Sequence, residues 1–219
     1  MASMMEDRLY SDKSRILSQR EVQPGNQPRG AWTSSESDVL DGVIDILSGL
    51  FPGLEILSTI HEGAIRTVNL GDENGTIWQA SMRSNLLSSV YGMNPETGRP
   101  HGIKPDIQVV HIPTGKPFFI EVKNQGKEGN AHERAMKYFT RSFVKQAQHA
   151  LGDIDYEPFI AVFTGELATH PRYQREISVW LEEQQYCFLT DLQRGNGAFA
   201  AMYEPIRFMV DSMSLTSDR

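Results

Sequence analysis

The spacing of apolar residues in the first part of the chain predicts a helix followed by a β-hairpin. Apolar residues recur three and four positions apart behind the Thr-Ser-Ser-Glu sequence at 33–36, and Pro52 ends this helical pattern. Two strand-like runs follow, Ala64–Leu70 and Thr76–Ser81, separated by glycine and acidic or amide residues. A turn of that composition between two such runs favours a hairpin.

The middle of the chain carries the clearest strand pattern. Ile107–Ile112 and Phe118–Lys123 are rich in β-branched and aromatic residues, and Pro113–Pro117 between them has the composition of a turn. Four further elements are predicted downstream: a helix over about Ala131–Ala150, a strand at Phe159–Thr164, a helix from Thr169 to about Gln184 and a strand at Tyr186–Leu189. This order of elements indicates the α/β class, with a mixed β-sheet sandwiched by helices.

Length and composition favour one globular unit with a polar arm. The 219 residues, 39% of them hydrophobic, suffice for one core, and we expect a single domain over residues 31–219. Residues 1–30 are polar and aperiodic, which predicts a flexible N-terminal arm. No run approaches the roughly 18 apolar residues of a membrane span, so we expect a cytoplasmic protein with no membrane partner. The single cysteine, Cys187, excludes an internal disulfide and a multi-cysteine zinc site.

Basic residues are concentrated in one segment of an acidic chain. The formal net charge of −7 argues, taken alone, against a nucleic-acid partner, because Lys and Arg make most phosphate contacts. Residues 99–145, however, contain nine basic and four acidic residues, whereas the segments before and after it are both acidic. The charge distribution therefore predicts a local surface suited to a polyanion.

The polar residues of the central hairpin are expected on one face of the sheet. Closing the hairpin at its Pro-Thr-Gly-Lys-Pro turn pairs Asp106 with Lys123 and Gln108 with Glu121, and paired residues share a face. The apolar residues between them point to the other face and supply core. In this register Asp106 and Glu121 are diagonal neighbours, roughly 7–8 Å apart at the backbone.

Two carboxylates at this separation suit a bound cation. They repel each other unless a proton or a cation lies between them, and carboxylate oxygens are ligands of hard ions such as Mg²⁺. A metal ion can lower the pKa of a bound water, and the ammonium group of Lys123 can orient it, which is the chemistry of phosphodiester hydrolysis. A purely structural role stays open from the spacing alone: Asp106 would end a turn, and Glu121 and Lys123 would be an exposed strand edge.

A resemblance to a known family adds to this pattern. Pro105-Asp106, fourteen intervening residues and Glu121-Val122-Lys123 resemble the signature of the PD-(D/E)XK nucleases. The following segment, Gly129-Asn130-Ala131-His132-Glu133-Arg134, is similar to the recognition motif of EcoRI- and MunI-like type II restriction endonucleases, the MunI-like type in particular. The similarity extends over roughly 102–188, with further matching blocks at 135–140, 158–166 and 175–180. The catalytic and recognition region is accordingly expected at about 99–190.

This resemblance implies a restriction–modification endonuclease that acts as a homodimer on double-stranded DNA. It implies Asp106 and Glu121 as Mg²⁺ ligands, and Lys123 as the third catalytic residue. It also implies cleavage of both strands of a palindrome with an AATT core, giving 5′-phosphate ends. The residues expected to contact DNA are Lys127, Asn130, Ala131, His132, Glu133, Arg134, Lys137 and Arg141.

The recognition segment makes physical sense, with one departure from the family pattern. Asn130 can form a bidentate contact to adenine, although Asn130 and Glu133 also have the spacing of a helix capping box. Lys137 and Arg141 belong to a basic stripe that can meet phosphates. Glu128 stands where MunI-like enzymes have an arginine for the outer base pair, so the identity of that pair is left open.

Two other functions remain compatible with the sequence. One is a structure-specific repair or junction nuclease with the same catalytic hairpin, and the other is a non-catalytic DNA-binding protein. Three acids of the first predicted helix, Glu36, Asp38 and Asp41, could approach the metal site, but acids at a helix start also suit the helix dipole. We therefore expect those three to be solvated.

Overall fold

In the part of the chain that the structure describes, a seven-stranded sheet is covered by helices on both faces. The computed structural model describes residues 36–62, 65–82, 105–125, 131–190 and 199–215. Its strands are β1 Glu55–Glu62, β2 Ile65–Asp72, β3 Gly75–Met82, β4 Ile107–His111, β5 Lys116–Gln125, β6 Phe159–Gly165 and β7 Tyr186–Phe188. Its α-helices are α1 Glu36–Leu50, α2 Ala131–Met136, α3 Arg141–Ala150, α4 Glu166–Thr169, α5 Pro171–Trp180 and α6 Tyr203–Leu215, with 3₁₀ turns at Lys137–Phe139, Glu183–Gln185 and Ala200–Met202.

The strands lie side by side in the order in which they occur in the chain. Strands β1 to β5 are antiparallel, whereas β6 and β7 run parallel to β5. The predicted α/β class with a mixed sheet is therefore confirmed. No helix among the described residues is long and apolar enough to cross a membrane.

Helices α1 and α6 cover one face of the sheet with a continuous apolar core. The apolar positions of α1 repeat at helical spacing, so one side of the helix is buried while its first turn carries the acids Glu36 and Asp38. On the sheet, Trp78, Ile107 and Phe118 belong to the same cluster as the apolar residues of α1 and α6. Burial of such side chains supplies most of the driving force for folding.

The opposite face is covered by α2, α3 and α5, and its apolar packing is divided into two clusters. The first surrounds Phe119 and includes Tyr138, Phe143, Ala147 and Phe159. The second lies at the carboxyl ends of β5 and β6 and includes Ala135, Ala161, Phe163, Leu167, Tyr173, Ile177 and Leu181. The predicted polar residues of the central hairpin are on this face of the sheet.

The helix predicted over 131–150 is wrong, because the chain forms two helices. Helix α2 ends at Met136, a 3₁₀ turn follows, and Thr140 is extended before α3 begins. The reason is Tyr138, which is buried with its ring 5.4 Å from that of Phe159. A tighter 3₁₀ turn is needed to bring that ring to the sheet.

Three other elements differ from the sequence-based prediction. Helix α5 ends at Trp180 and not at about Gln184, because Leu181 is extended and buried. Strand β1 was not predicted: every one of its residues is exposed, so it lacks the alternation that marks a half-buried strand. Helix α6 was not predicted either. The predicted arm at 1–30 lies outside the described residues, and the single domain over 31–219 stays a prediction.

Candidate active site

The hairpin of β4 and β5 has a register two residues away from the predicted one. Its last pair is His111 with Lys116, and Ile107 pairs with Ile120. The turn therefore occupies 112–115, where Gly115 has a φ of 68° that suits glycine, and Lys116 already belongs to the strand. The predicted pairing of Asp106 with Lys123 is wrong, and continuing the observed register places Asp106 opposite Glu121.

Asp106 directly precedes β4, and its side chain accepts a hydrogen bond from the neighbouring strand β5. The N–H of Val122 points toward β4 beyond the last pair of the ladder, and it donates to Asp106 Oδ2 at 2.7 Å. The carboxylate thus satisfies a backbone donor that would otherwise lack a ladder partner. This bond holds Asp106 beside Glu121 at the edge of the strand pair.

Glu121 and Lys123 follow on the same face of β5, as their alternation predicts. Glu121 is only 6% exposed, and the Lys123 ammonium group donates to its Oε1 and, at 3.4 Å, to the carbonyl of Val122. The second oxygen, Glu121 Oε2, is buried and accepts no hydrogen bond from any described residue. On the neighbouring strand β6, Glu121 is paired with Ala161, so the side chain beside the Glu121 carboxylate is small.

The electrostatics of the pair favour a proton or a cation between the carboxylates. The pKa of Asp106 is raised from 3.8 to about 6, chiefly by burial and next by the Glu121 carboxylate, against the opposing effects of the Val122 N–H and Lys123. The charge of Glu36 also raises this pKa. Glu36 was set aside as a solvated helix start, but α1 begins at the end of the sheet where Asp106 lies, as only the tertiary structure shows.

The residues present fit a hard divalent ion. A buried carboxylate oxygen without a hydrogen-bond donor and a second carboxylate opposite it are oxygen ligands of the kind that Mg²⁺ accepts. Within the described ranges no three His, Cys, Asp or Glu side chains cluster as a complete ligand set. The two carboxylates would therefore hold such an ion with help from water or substrate oxygens, as is usual for Mg²⁺.

The structure describes some of the predicted recognition residues and leaves others outside the described ranges. Lys127, Asn130 and the departing Glu128 lie outside the described residues, as does the possible capping box of Asn130. Of the residues on α2, Glu133 and Arg134 are exposed and Ala131 is partly buried. Farther along, Lys137 and Arg141 are exposed and available to a partner.

His132 differs from its neighbours on α2 because it faces inward. It is 3% exposed and lies against Tyr173 and Trp180 of α5. Residues that the sequence did not single out also converge here: Gln125 at the end of β5 and Glu176 on α5. Tyr173 and Ile177 are four residues apart, a helical spacing that could have indicated their shared buried side, but no local signal connects Gln125 to α2.

Comparisons with known proteins identify this arrangement. Fold and site together define an α/β protein whose mixed sheet carries two carboxylates and a lysine at the end of an antiparallel hairpin. A family model described as Type II restriction enzyme MunI matches residues 66–197, more than half of the chain. The chain therefore belongs to the MunI family of type II restriction enzymes.

A curated relative and a solved structure are similar to the chain. The Type II restriction enzyme MunI of Mycoplasma sp is 37% identical, in an alignment that covers 38% of this chain and 48% of that relative. The chain thus matches about half the length of the curated relative. A crystal structure of MunI restriction endonuclease in complex with cognate DNA aligns with a TM-score of 0.46 and 24% identity, covering 64% of this chain and 81% of that one.

Proposed function

We propose that this protein is a type II restriction endonuclease that hydrolyses both strands of duplex DNA at a palindromic site with an AATT core, giving 5′-phosphate ends. The observation that supports this most directly is the juxtaposition of Asp106 and Glu121 on one hairpin, with Lys123 next to them. Membership of the MunI family supports the class of reaction. The AATT core follows from the similarity of residues 129–134 to the family's recognition motif.

In this proposal Asp106 and Glu121 hold Mg²⁺, and Lys123 acts beside them. When bound, the ion stabilises charge that develops on the phosphate and makes water more acidic. Glu121 presents its buried Oε2 toward the site, and the Val122 N–H keeps Asp106 opposite it. Lys123 donates to Glu121 and to a backbone carbonyl, which hold its ammonium group beside the carboxylates, where it would orient an attacking water.

Binding of DNA is proposed for the exposed side of α2 and the start of α3. Glu133 and Arg134 would read bases together with Asn130 and Ala131, as the family motif implies, and Lys127, Lys137 and Arg141 would meet the DNA. His132 belongs to the same motif, but its side chain is buried. An arginine can contact guanine in the major groove, whereas exposed lysines mainly neutralise phosphates. Cutting both strands of a palindrome calls for two copies related by twofold symmetry, so we propose a homodimer.

Digestion of a fully sequenced, unmethylated DNA tests the reaction and the site together. The full-length protein is incubated with DNA and Mg²⁺, and every end is sequenced. We expect discrete 5′-phosphate ends centred on AATT, and no cleavage after chelation of divalent ions by EDTA. Sequence-independent nicking, or cutting only at branched DNA, would refute the proposal, and the flanking base read from the ends identifies the pair beside Glu128.

A matched pair of lysine substitutions on β5 tests the site assignment. Lys123→Ala is expected to reduce cleavage by at least about a hundredfold, because a positioned charge near the reacting groups is lost. Lys116→Ala, at the other end of the same strand, removes a hydrogen bond to the carbonyl of Met213 and should leave the cleavage rate within about twofold. Equal effects of the two substitutions would show that Lys123 has no special role.

A further inference from the structure

The first turn of α2 is tied to the end of the catalytic strand by a buried glutamine. Gln125 is the last residue of β5, two residues after Lys123, and it is 6% exposed. Its Oε1 accepts a hydrogen bond of 2.6 Å from the Ala131 N–H. Its Nε2 donates to the Tyr173 hydroxyl at 3.1 Å. One side chain therefore links β5, which carries Glu121 and Lys123, to helices α2 and α5.

A second tie comes from the recognition motif itself. The His132 Nε2 lies 3.1 Å from Glu176 Oε2, and the imidazole is parallel to the Trp180 ring, with 5.8 Å between their centroids. The centroid of Tyr173 is 4.9 Å away on a tilted ring. The other oxygen of Glu176 accepts from Arg172 at 2.8 Å. This histidine is thus held by polar and aromatic contacts on α5.

Helix α2 depends on these ties for its orientation. It has six residues, and a helix this short has little stability of its own in water. Glu133 and Arg134 project to solvent from the same turn whose other side is fixed by Ala131 and His132. The direction of the exposed pair is therefore set by contacts made on the buried side.

The strand end that carries Gln125 lies close to the backbone of a neighbouring glycine. Gly165 is the parallel partner of Gln125, at the end of β6, with a φ of 66°. A Cβ at Gly165 would lie 2.8 Å from the Gln125 carbonyl oxygen and 2.5 Å from Asn124 Oδ1. Such a close approach of two backbones leaves the end of β5 little room to shift.

We propose that Gln125 and His132 are positioning residues. They hold the first turn of α2, which would read bases, in a fixed position relative to the carboxylates of Asp106 and Glu121. Gln125 connects that turn to β5, and His132 connects it to α5. For His132 this role takes the place of a direct DNA contact, because its side chain is buried. The inference rests on the proposed function, since it concerns how the residues for base recognition and for cleavage are aligned within one site.

Substitutions of Gln125 test the first tie. Gln125→Leu keeps the volume of the side chain but removes both hydrogen bonds. We expect the cleavage rate of a duplex with the identified site, at saturating DNA, to fall by roughly ten- to a hundredfold, because a displacement of about 1 Å has effects of this size. Gln125→Glu retains an acceptor for the Ala131 N–H and can accept from Tyr173, so it should recover most of the rate.

The ability of each variant to discriminate between two duplexes distinguishes a positioning role from an effect on protein stability alone. Binding is measured with Ca²⁺ in place of Mg²⁺, for a duplex with the site and one with a single changed core base pair. Gln125→Leu and His132→Phe, which keeps a stacked ring but loses the contact to Glu176, should reduce the ratio of the two affinities by about fivefold or more. The control Arg172→Ala removes the exposed ion pair with Glu176 and a cation–π contact with Tyr173, but it leaves the side chains of Gln125 and His132 in place, so it should change the ratio less than about twofold.

Amide hydrogen exchange gives a readout that does not depend on cleavage. In the metal-free and DNA-free protein, the Ala131 amide should be protected in the wild type and in Arg172→Ala, and should exchange at least about tenfold faster in Gln125→Leu. Unchanged protection, or an unchanged affinity ratio in both substituted proteins, overturns the proposal. If the wild-type protein cuts no discrete site, the proposed function fails, and the exchange experiment still decides whether Gln125 holds the helix.

Discussion

The two faces of the central sheet are built on different principles. The face under α1 and α6 is one continuous apolar cluster to which most strands contribute. The face under α2, α3 and α5 has two smaller clusters, with buried polar side chains such as Glu121, Gln125 and His132 on it. The continuous face is suited to stability, and the divided face is suited to placing polar groups.

The difference has an energetic meaning. Burial of apolar area stabilises the first face without any demand on geometry beyond close packing. On the second face, Glu121 Oε2 and His132 Nδ1 are buried without a hydrogen-bond partner among the described residues, and on the first face Trp78 Nε1 and Thr164 Oγ1 are. Each such atom costs free energy, and the cost is largest for the charged carboxylate oxygen. That cost at Glu121 is explained if a cation and its bound oxygens complete the site.

The largest expected effect is loss of activity without loss of stability on the divided face. Glu121→Gln removes a proposed metal ligand, and we expect cleavage to fall at least about a thousandfold, equivalent to about 4 kcal/mol of transition-state stabilisation. The melting temperature of the metal-free protein should be unchanged or higher, because the repulsion between the carboxylates of Glu121 and Asp106 is removed and the amide oxygen can still accept from Lys123. A lower melting temperature together with normal cleavage would reverse our assignment of the two faces.

Adjacent phenylalanines on opposite faces provide a matched comparison. Phe118→Ala and Phe119→Ala each create a cavity in a fully buried cluster and should lower the free energy of unfolding by about 3–5 kcal/mol, measured by urea denaturation. At a temperature where both proteins are folded, only Phe119→Ala should also slow cleavage, because Phe119 packs under Tyr138 next to α2. Equal cleavage rates in the two proteins would argue against a functional division of the faces.

A smaller effect is expected from Gly165→Ala. Its positive φ is strained for alanine, and the added Cβ meets the backbone of β5, so we expect a loss of about 1–3 kcal/mol in the free energy of unfolding. Gly152→Ala is the control: its φ of 92° is also positive, but no atom lies within 4 Å of the added Cβ. A reduced cleavage rate is expected in Gly165→Ala alone.

The smallest expected effect is a pH dependence of stability in the metal-free protein. The pKa of Asp106 is raised to about 6 in the folded state, above its ordinary value of 3.8, so the folded protein binds this proton more tightly than the unfolded chain. This group therefore adds stability as the pH falls from about 6 and adds it fully below 3.8. The difference in unfolding free energy between wild type and Asp106→Asn should change in that window and be constant above pH 7.

The hairpin shows how far sequence patterns reach. Alternation along β4 and β5 correctly predicted that Asp106, Glu121 and Lys123 share a face. The register was nevertheless wrong by two residues, and a slip of two preserves every face because side chains alternate with a period of two. Hydrophobic patterning cannot detect such a slip. The pair that closes the turn, His111 with Lys116, depends on the conformation of 112–115, which composition alone left ambiguous.

The recognition region shows a different limit. Helical periodicity predicted the exposed basic residues Arg134, Lys137 and Arg141, but it extended one helix through a segment where the chain makes two. The break serves a long-range contact of Tyr138 with Phe159 that lies outside the information in neighbouring residues. The roles of Asn130 and Lys127 stay predictions, since these residues lie outside the described ranges.

The sequence alone determined the mixed α/β class, the apolar and polar faces of the central hairpin and the set of two carboxylates and a lysine. These follow from periodicity and residue chemistry, which are local. Only the tertiary structure decided that Asp106 lies opposite Glu121, that His132 faces inward and that Gln125 bonds to Ala131. Each of these depends on segments that meet through packing, and the free energy of such contacts is shared among residues distant in the chain.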